Sequence, residues 1–351
     1  MGTCVVVVNW NGWRDTVECL ESLFRLSTPD VRVVVCDNAS ADGSLERIQD
    51  WAEGRLAAWV APGHPLRGHS VPPGPKPVAY ARYGREAAER GGDGGAAPAL
   101  VLVDVGSNHG FAAGANVGLR YALARLEHDR FWLLNNDTVV DADALDPLAR
   151  EMERDPRVGM AGSTLLYYSN PSTVQALGGG TFNPWLALPR HLGALRSVAD
   201  APAPAEVSRR IDFVTAASML VSRAFLEEVG LLCEDYFLYF EEVDWVARAA
   251  GRYRVAFAPD SRVYHKEGGT VGTHAAQARK SWQADYYFAR SRILFTLKHH
   301  PALLPTVGVA MLAAMLRRAR RGHWDRVRMI AGLCWSARGG TRTLGSLRGP
   351  V

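Results

Sequence analysis

Cysteine is sparse and unpaired in this sequence: five residues, Cys4, Cys19, Cys36, Cys233 and Cys334, with no Cys-x-x-Cys spacing. An odd, scattered set excludes a zinc ribbon and offers no disulfide framework, so a reducing, cytoplasmic setting is expected. A charge excess is also lacking. The net charge is +4 over 351 residues, and nucleic acid is not expected as a partner. The Gly-x-Gly-x-x-Gly fingerprint of a dinucleotide site is missing. There is no unbroken run of about eighteen apolar residues, so no membrane-spanning helix is expected. The run Val5-Val6-Val7-Val8 is too short for a signal-peptide core and has no basic segment before it. Internal repeats are absent.

What is present is a globular composition, 48% apolar and 22% charged, long enough for one large domain or two smaller ones. Strand and helix patterns alternate through the first 160 or so residues. Residues 3–8, 31–36, 100–103 and 131–134 read as buried strands. Residues 16–26 and 112–126 read as helices, and Asp42-Gly43-Ser44 opens another. This alternation implies a parallel sheet covered on both faces. Ligands of such sheets bind beyond the carboxyl ends of the strands, where Asn9, Asn11, Asp37, Asn38, Asn135, Asn136 and Asp137 all fall.

Two segments interrupt the alternation. Residues 61–98, rich in Gly, Pro and Arg, read as a surface insertion with a short helix near 79–90, and residues 198–207 read as a flexible loop. After His265 a helix is expected over 275–298. Pro301 and Pro305 then precede two basic amphipathic helices at 307–320 and 324–336. Residues 317–348 hold nine arginines against one acid, Asp325. This tail reads either as a membrane-surface element or as a face that packs on the domain or on a second copy.

Each chemistry-bearing residue has a structural alternative. Asp37 could accept hydrogen bonds from a ribose or base, or make a turn, and the Asn9 and Asn11 amides likewise. The stretch from Asn108 through Gly110, Ala112 and Asn116 opens a helix with small residues. That suits an anion at free N–H groups or tight helix–sheet packing. Asp137 follows a buried strand and could hold a hard divalent cation that keeps sites for phosphate and water. Glu241, Glu242 and Asp244 crowd a helix start. The dipole explains acids there, but the apolar 237–240 stretch before them implies a partly buried carboxylate with a raised pKa, fit to act as a base. His265 ends a strand-like segment at 261–264, and Gly268-Gly269 follow as a loop able to bend toward a metal.

These stretches resemble the inverting glycosyltransferases of family 2, with the GT-A fold, in their rhamnosyltransferase-like and galactofuranosyltransferase-like branch. The resemblance is carried by VVVVNWNG, VVVCDNASADGSLE, SNHGFAAGANVGLRYAL, LLNNDTVV, DFVTAASMLVSRAFLEEVGLL, and DYFLYFEEVDWVARA through VYHKEGGT, in family order over residues 3–298. It implies an α/β fold with a Rossmann-like, mostly parallel sheet flanked by helices. The GT-A domain would span 1–298, with a C-terminal helical extension at 299–351 and the 61–98 insertion outside the common pattern.

The resemblance also assigns roles. Asn9, Asp37 and Asn38 would hold the nucleoside of a sugar-nucleotide donor. Asn108, Gly110, Ala112 and Asn116 would line its diphosphate and sugar. Asp137, with Asn135 or Asn136 nearby, takes the place of the metal motif, here reduced to one acid, and His265 matches the distal ligand of a divalent cation, Mg²⁺ or Mn²⁺. Glu241-Glu242 matches the base motif, whose second member is usually aspartate; Asp244 is the next candidate. The implied donor is a dTDP-rhamnose-like or UDP-sugar. The acceptor is a lipid-linked saccharide, a glycan or a small natural product. The setting is cytoplasmic, with peripheral attachment at the inner face of the cell membrane and a homodimer both left open. Two other classes remain: a sugar-nucleotide nucleotidyltransferase, which would want a Gly-rich basic loop where Asn9-Trp10-Asn11-Gly12 stands, and a non-catalytic nucleotide-sugar-binding module.

Overall fold

The computed structural model describes residues 2–267 and 281–347. The first half builds β1 (Thr3–Asn9), α1 (Trp13–Leu23), β2 (Val31–Asp37), α2 (Ser44–Ala52), β3 (Tyr80–Gly84), α3 (Arg85–Glu89), β4 (Leu100–Asp104), α4 (Phe111–Arg125) and β5 (Arg130–Asn135). The middle adds β6 (Thr138–Val140), α5 (Leu145–Arg154), β7 (Val158–Tyr167), β8 (Asn170–Leu177), β9 (Gly179–Asn183), β10 (Leu188–His191) and α6 (Pro204–Arg210). Then come β11 (Phe213–Val214), β12 (Ser218–Ser222), α7 (Arg223–Val229), α8 (Glu241–Ala249) and β13 (Arg254–His265). Four helices close the chain: α9 (Trp282–His299), α10 (Leu304–Arg320), α11 (Trp324–Ser336) and α12 (Gly340–Ser346).

One mixed sheet carries the fold, in the order β10-β9-β8-β7-β12-β5-β1-β2-β4-β3. The β5-β1-β2-β4-β3 half is parallel, and β12 joins it antiparallel to β5. The valine run of β1 shows why it sits centrally. Alternate residues point to opposite faces, so Cys4 and Val6 pack with α4 residues such as Val117, while Val5 and Val7 pack with Val17, Leu20 and Ile48 of α1 and α2. Each such side chain, fully buried, contributes about 1.5–3 kcal/mol. Parallel register aligns the strand ends: Asn9 pairs with Asp37, and Val8 with Asn135.

Two expectations from sequence need correction. The 61–98 insertion is part of the sheet, because Tyr80–Gly84 pairs with β4 in parallel as an edge strand. Its preceding loop is held on the domain by His69, which bonds Asp141 at 2.8 Å, and by the Lys76–Glu21 ion pair at 3.1 Å. Residues 198–207 are not a loop: a short 3₁₀ turn leads into α6, with Pro204 in its first turn, where its missing N–H does no harm. Pro301–Arg320 is a 20-residue helical stretch long and apolar enough, by length and composition, to cross a membrane. The proline and glycine that break the apolar run leave the helix continuous.

Across the expected 298/299 boundary the helices pack together. The helix expected over 275–298 is seen as α9, residues 275–280 lying outside the described set, as do Gly268 and Gly269. From α9, Ile293 and Phe295 share one core with Val307 and Met311 of α10, Ile330 and Leu333 of α11, Val243 of α8 and Phe240 just before it. The tail thus packs on the domain through α9, and its first helix belongs to both.

Candidate active site

The carboxyl ends of β1, β2 and β5 form the floor of a polar site. Asn9 and Asp37 are buried and bonded to each other, Asn9 Nδ2 donating to Asp37 Oδ1 at 2.5 Å. Ser40 donates to Asp37 from its backbone N–H at 2.9 Å and its hydroxyl at 2.6 Å. Thr16 donates to Asn9 Oδ1 at 2.7 Å, and Asn136 Nδ2 reaches the same oxygen at 3.2 Å. Burial pushes the Asp37 pKa up, and the bonds from Ser40 and Asn9 only partly offset it. Asn9 and Asp37 therefore brace the strand ends. Exposed Asn11 is locked differently: its side-chain oxygen accepts from the Ala41 N–H at 2.8 Å, with the backbone at φ 49°. Asn38 Nδ2 donates to the Gly110 carbonyl at 3.1 Å, while its buried Oδ1 lacks a partner among the described residues.

The next element is the turn from β5 into β6. Strand β13 runs antiparallel to β6 with His265 opposite Thr138, which brings His265 Nε2 to 3.0 Å from Asp137 Oδ1. The other ring nitrogen, Nδ1, lies 2.8 Å from Gln175 Oε1, an acceptor, so Nδ1 carries its proton. Asn135 Nδ2 lies 3.3 Å from His265 Nε2. Burial of the ring opposes its charge, but the Asp137 carboxylate prevails and raises the His265 pKa. Lys266 is anchored beside it, 2.7 Å from Asp15 and 2.6 Å from Glu18.

Asp137 and His265 fit a divalent cation. One oxygen donor and one nitrogen donor converge on a point, and the Gln175 bond fixes the ring through its far nitrogen, as the supporting acceptors of metal-binding histidines do. Among the described residues no group of three His, Cys, Asp or Glu side chains converges. A hard cation there would complete its shell with phosphate oxygens and water.

The third element is the start of α8. Tyr239 and Phe240 both take left-handed backbone, φ 68° and 71°, directly before Glu241. That conformation costs each non-glycine residue about 1–3 kcal/mol and is held only by its surroundings. Phe240 is clamped by Phe182, Phe288 and Phe295, and Phe237 stacks on Tyr287 at 4.3 Å. The turn aims two carboxyls inward. Glu241 is buried, Glu242 is partly exposed, and the buried Oε2 of each has no partner among the described residues. Burial, then the charge of Glu242, holds the Glu241 pKa well above the usual range; burial pushes Glu242 up to about 7.

Asp244, the third acid expected to be a candidate base, is corrected here. It is buried and saturated: Arg248 Nε donates to Oδ2 at 2.8 Å, and His299 Nε2 and Tyr236 OH donate to Oδ1 at 2.7 and 3.3 Å. Burial raises its pKa, but His299 and Arg248 more than offset this and hold it below the usual value. It ties α8 to α9.

The helix-opening stretch is corrected too. Asn108 Oδ1 accepts from the Gly110 N–H at 2.9 Å, shaping the turn. Gly110 has φ 94°, and a Cβ there would lie 2.1 Å from the Phe237 carbonyl oxygen, so glycine is required by close packing. Phe111 N–H donates to that same oxygen at 3.0 Å. Ala112 is buried in the core. Asn116 is consumed by Leu232, donating to its carbonyl at 2.9 Å and accepting from its N–H at 3.1 Å. Gly110 and Asn116 thus tie the start of α4 to the loop that leads into α8 through Phe237 and Leu232. Missed from sequence were Gln175 and Lys266. Gln175 stands in no motif; Lys266 is next to His265, the one cue available.

The family profile described as Glycosyltransferase like family 2 matches residues 97–285, more than half of the chain, and that described as Glycosyl transferase family 2 matches residues 4–59. Among curated proteins the chain is 26% identical over 147 residues to the low-salt glycan biosynthesis hexosyltransferase Agl10 of Haloferax volcanii. That match spans 42% of this chain and 45% of the relative, less than half of its length. Among solved structures, GalNAc-T7 with UDP, GalNAc and Mn²⁺ aligns at a TM-score of 0.52 and 15% identity, over 76% of this chain and 44% of that one. The mannosyltransferase PcManGT from Pyrobaculum calidifontis, with GDP-Man and Mn²⁺, aligns at 0.49 and 17% identity over 97% and 83%. The likeness to GalNAc-T7 agrees with a GT-A fold, a mostly parallel mixed sheet between helices, here followed by a helical region.

Proposed function

The chain belongs to glycosyltransferase family 2, and from that premise we propose that it transfers a sugar from a nucleoside-diphosphate donor to an acceptor hydroxyl with inversion. The observation that carries this reading is the Glu241-Glu242 pair, with buried oxygens that find no partner among the described residues and a Glu242 pKa of about 7 at a strained helix start. A carboxylate poised near neutral pH is suited to general-base work. Asp244, already paired, leaves that role to Glu242, with Glu241 beside it.

The step balances as a single displacement. Glu242 takes the proton of the acceptor hydroxyl. The acceptor oxygen bonds to the anomeric carbon on the face opposite the leaving group. The carbon–oxygen bond to the diphosphate breaks, and its electron pair leaves with the nucleoside diphosphate. Asp137 and His265 would hold a divalent cation, Mg²⁺ or Mn²⁺, whose chemistry when bound is to neutralise charge on that diphosphate. Glu241, protonated, keeps the pair at one negative charge. The braced strand ends at Asn9, Asp37 and Asn38 hold the floor rigid for the nucleoside, and positioning of this kind contributes much of a transfer rate.

The donor in this reading is a dTDP-rhamnose-like or UDP-sugar, and the acceptor a lipid-linked saccharide, a glycan or a small natural product. A donor panel read by nucleoside diphosphate release tests it. Release from one donor, stimulated by an acceptor, supports transfer. Pyrophosphate release from a nucleoside triphosphate and a sugar phosphate would favour a nucleotidyltransferase instead. Donor binding with no turnover would favour a binding module.

A further inference from the structure

Helix α10 has two apolar faces, and the fold covers only one. Val307 and Met311 are buried in the core shared with α9 and α11, and Ala314 at the same spacing is buried too. On the opposite side, Val309, Leu312 and Leu316 are 69%, 52% and 53% exposed, at the three- and four-residue spacing of a single stripe. Helix α11 packs against α10 after a short turn. It buries Ile330 and Leu333, and it leaves Trp324 and Trp335 58% and 68% exposed at the ends of its outer face, with exposed Arg328 between them. A helix that is apolar all round is normally covered on all sides.

We propose that the outer face of α10 and α11 docks on an anionic lipid surface. Charge selects this occupant. Exposed Arg317 and Arg320 end α10, exposed Arg321 follows them, and exposed Arg338 lies 4.0 Å over the Trp335 ring, while Asp325 is the one acid on the two helices. Arginines flanking an apolar face, with tryptophans at its margins, match the interface between headgroups and acyl chains. A second copy of the same arginine-rich face would be repelled by like charge. The helix lies on the surface and does not cross it. Arg318 of α10 is bonded to the buried Asp285 of α9 through Nε at 2.9 Å, and spanning would tear out that pair together with Val307 and Met311.

The docked face adjoins a groove lined by Phe182, Trp185 and Leu186. Thr306 at the start of α10 donates to the Trp185 carbonyl at 2.8 Å, and Phe182 packs edge-to-face on Phe240, the residue before Glu241. Docking therefore brings the groove, and the start of α8, to the lipid. Resting on the transfer reading above, this selects a lipid-linked acceptor.

The test is sedimentation of the full chain with vesicles of phosphatidylcholine alone and of phosphatidylcholine mixed with phosphatidylglycerol. The expected result is binding to the mixed vesicles, released by high salt. Leu312→Glu with Leu316→Glu should abolish it, with an unchanged circular dichroism spectrum. Each of Arg317→Gln, Arg320→Gln and Arg321→Gln should lower partition about fivefold, the change that about 1 kcal/mol per basic residue at such a surface converts to. Trp59→Glu, at an exposed tryptophan far along the chain, should leave it unchanged. Donor hydrolysis should persist in all of these variants, which separates this inference from the transfer reading. Binding to neither vesicle, equal binding to both, retention through a high-salt wash, or conversion of a dimer to a monomer by Leu312→Glu would overturn it.

Discussion

His265 Nε2 sits 3.0 Å from Asp137 Oδ1 although 128 residues separate them. The contact is built by register: β13 pairs with β6 so that His265 faces Thr138, and the Lys266 N–H closes the turn on the Asp137 carbonyl at 2.9 Å. Gln175 on β8 completes it by accepting from Nδ1. A strand from late in the chain thus delivers the second donor to a site that β5 opens.

Gln175→Ala should therefore loosen the ring without removing a ligand. Loss of such a supporting bond typically lowers metal affinity about 10–100-fold. Titration of Mn²⁺ into the nucleotide-bound protein should show that weakening, with nucleotide affinity in chelator unchanged. Asp137→Ala should blunt the response to Mg²⁺ or Mn²⁺ outright.

Glu242 and Asp244 should separate by readout. Glu242→Gln keeps the shape and removes the proton acceptor, so turnover should fall about 100–10,000-fold with donor binding kept. Asp244→Asn leaves Arg248 and His299 poorly matched and should cost about 1–3 kcal/mol of stability, with turnover per folded molecule nearly intact. Because the Asp244 pKa is lowered, its stabilisation is present above the usual aspartate value and is lost as pH falls below that value and through the lowered folded-state pKa. Denaturant melts and initial rates on both variants check the division.

The raised Glu242 pKa sets a pH profile. The base works only when ionised, so kcat/KM should rise with pH through about 7. Stability moves the other way. A folded-state pKa raised from 4.5 to about 7 gives a contribution that is complete below 4.5 and lost as pH climbs through 7. Glu242→Gln should accordingly melt higher than the parent at about pH 8 and close to it at about pH 4. Thermal melts across pH decide this.

Gly110→Ala should damage the site from outside it. The added Cβ would meet the Phe237 carbonyl at 2.1 Å, at a φ of 94° that alanine avoids. The loop bearing Tyr239 and Phe240 must shift, and the strained turn costs about 1–3 kcal/mol more to hold. Turnover should drop while Mn²⁺ affinity stays at the parental value.

Much of this architecture is legible in the chain itself. The valine runs mark β1 and β2, and the acids and amides after them mark strand ends, because a buried parallel strand needs continuous apolar residues and its polar end must find partners. Asp137, Glu241, Glu242 and His265 are legible as types in order. Less legible is whether a polar residue faces a ligand or another part of the protein. Asn116 and Asp244 read as site residues, yet their partners, Leu232 and His299, lie 116 and 55 residues away. Strand β3 is hidden because an edge strand of five residues, Tyr-Ala-Arg-Tyr-Gly, carries no buried run. Also not legible is that α9 shares its core with helices on both sides of the boundary expected near residue 298.

The central claim is inverting transfer with Glu242 as the base. Its most direct test is product stereochemistry: the donor identified from the panel is turned over with an acceptor, and the anomeric proton of the product is read by NMR. The account predicts a product of opposite anomeric configuration to the donor, formed by the parent and lost in Glu242→Gln while that variant still binds donor. Retained configuration, or a Glu242→Gln variant working at the parental rate, would contradict it.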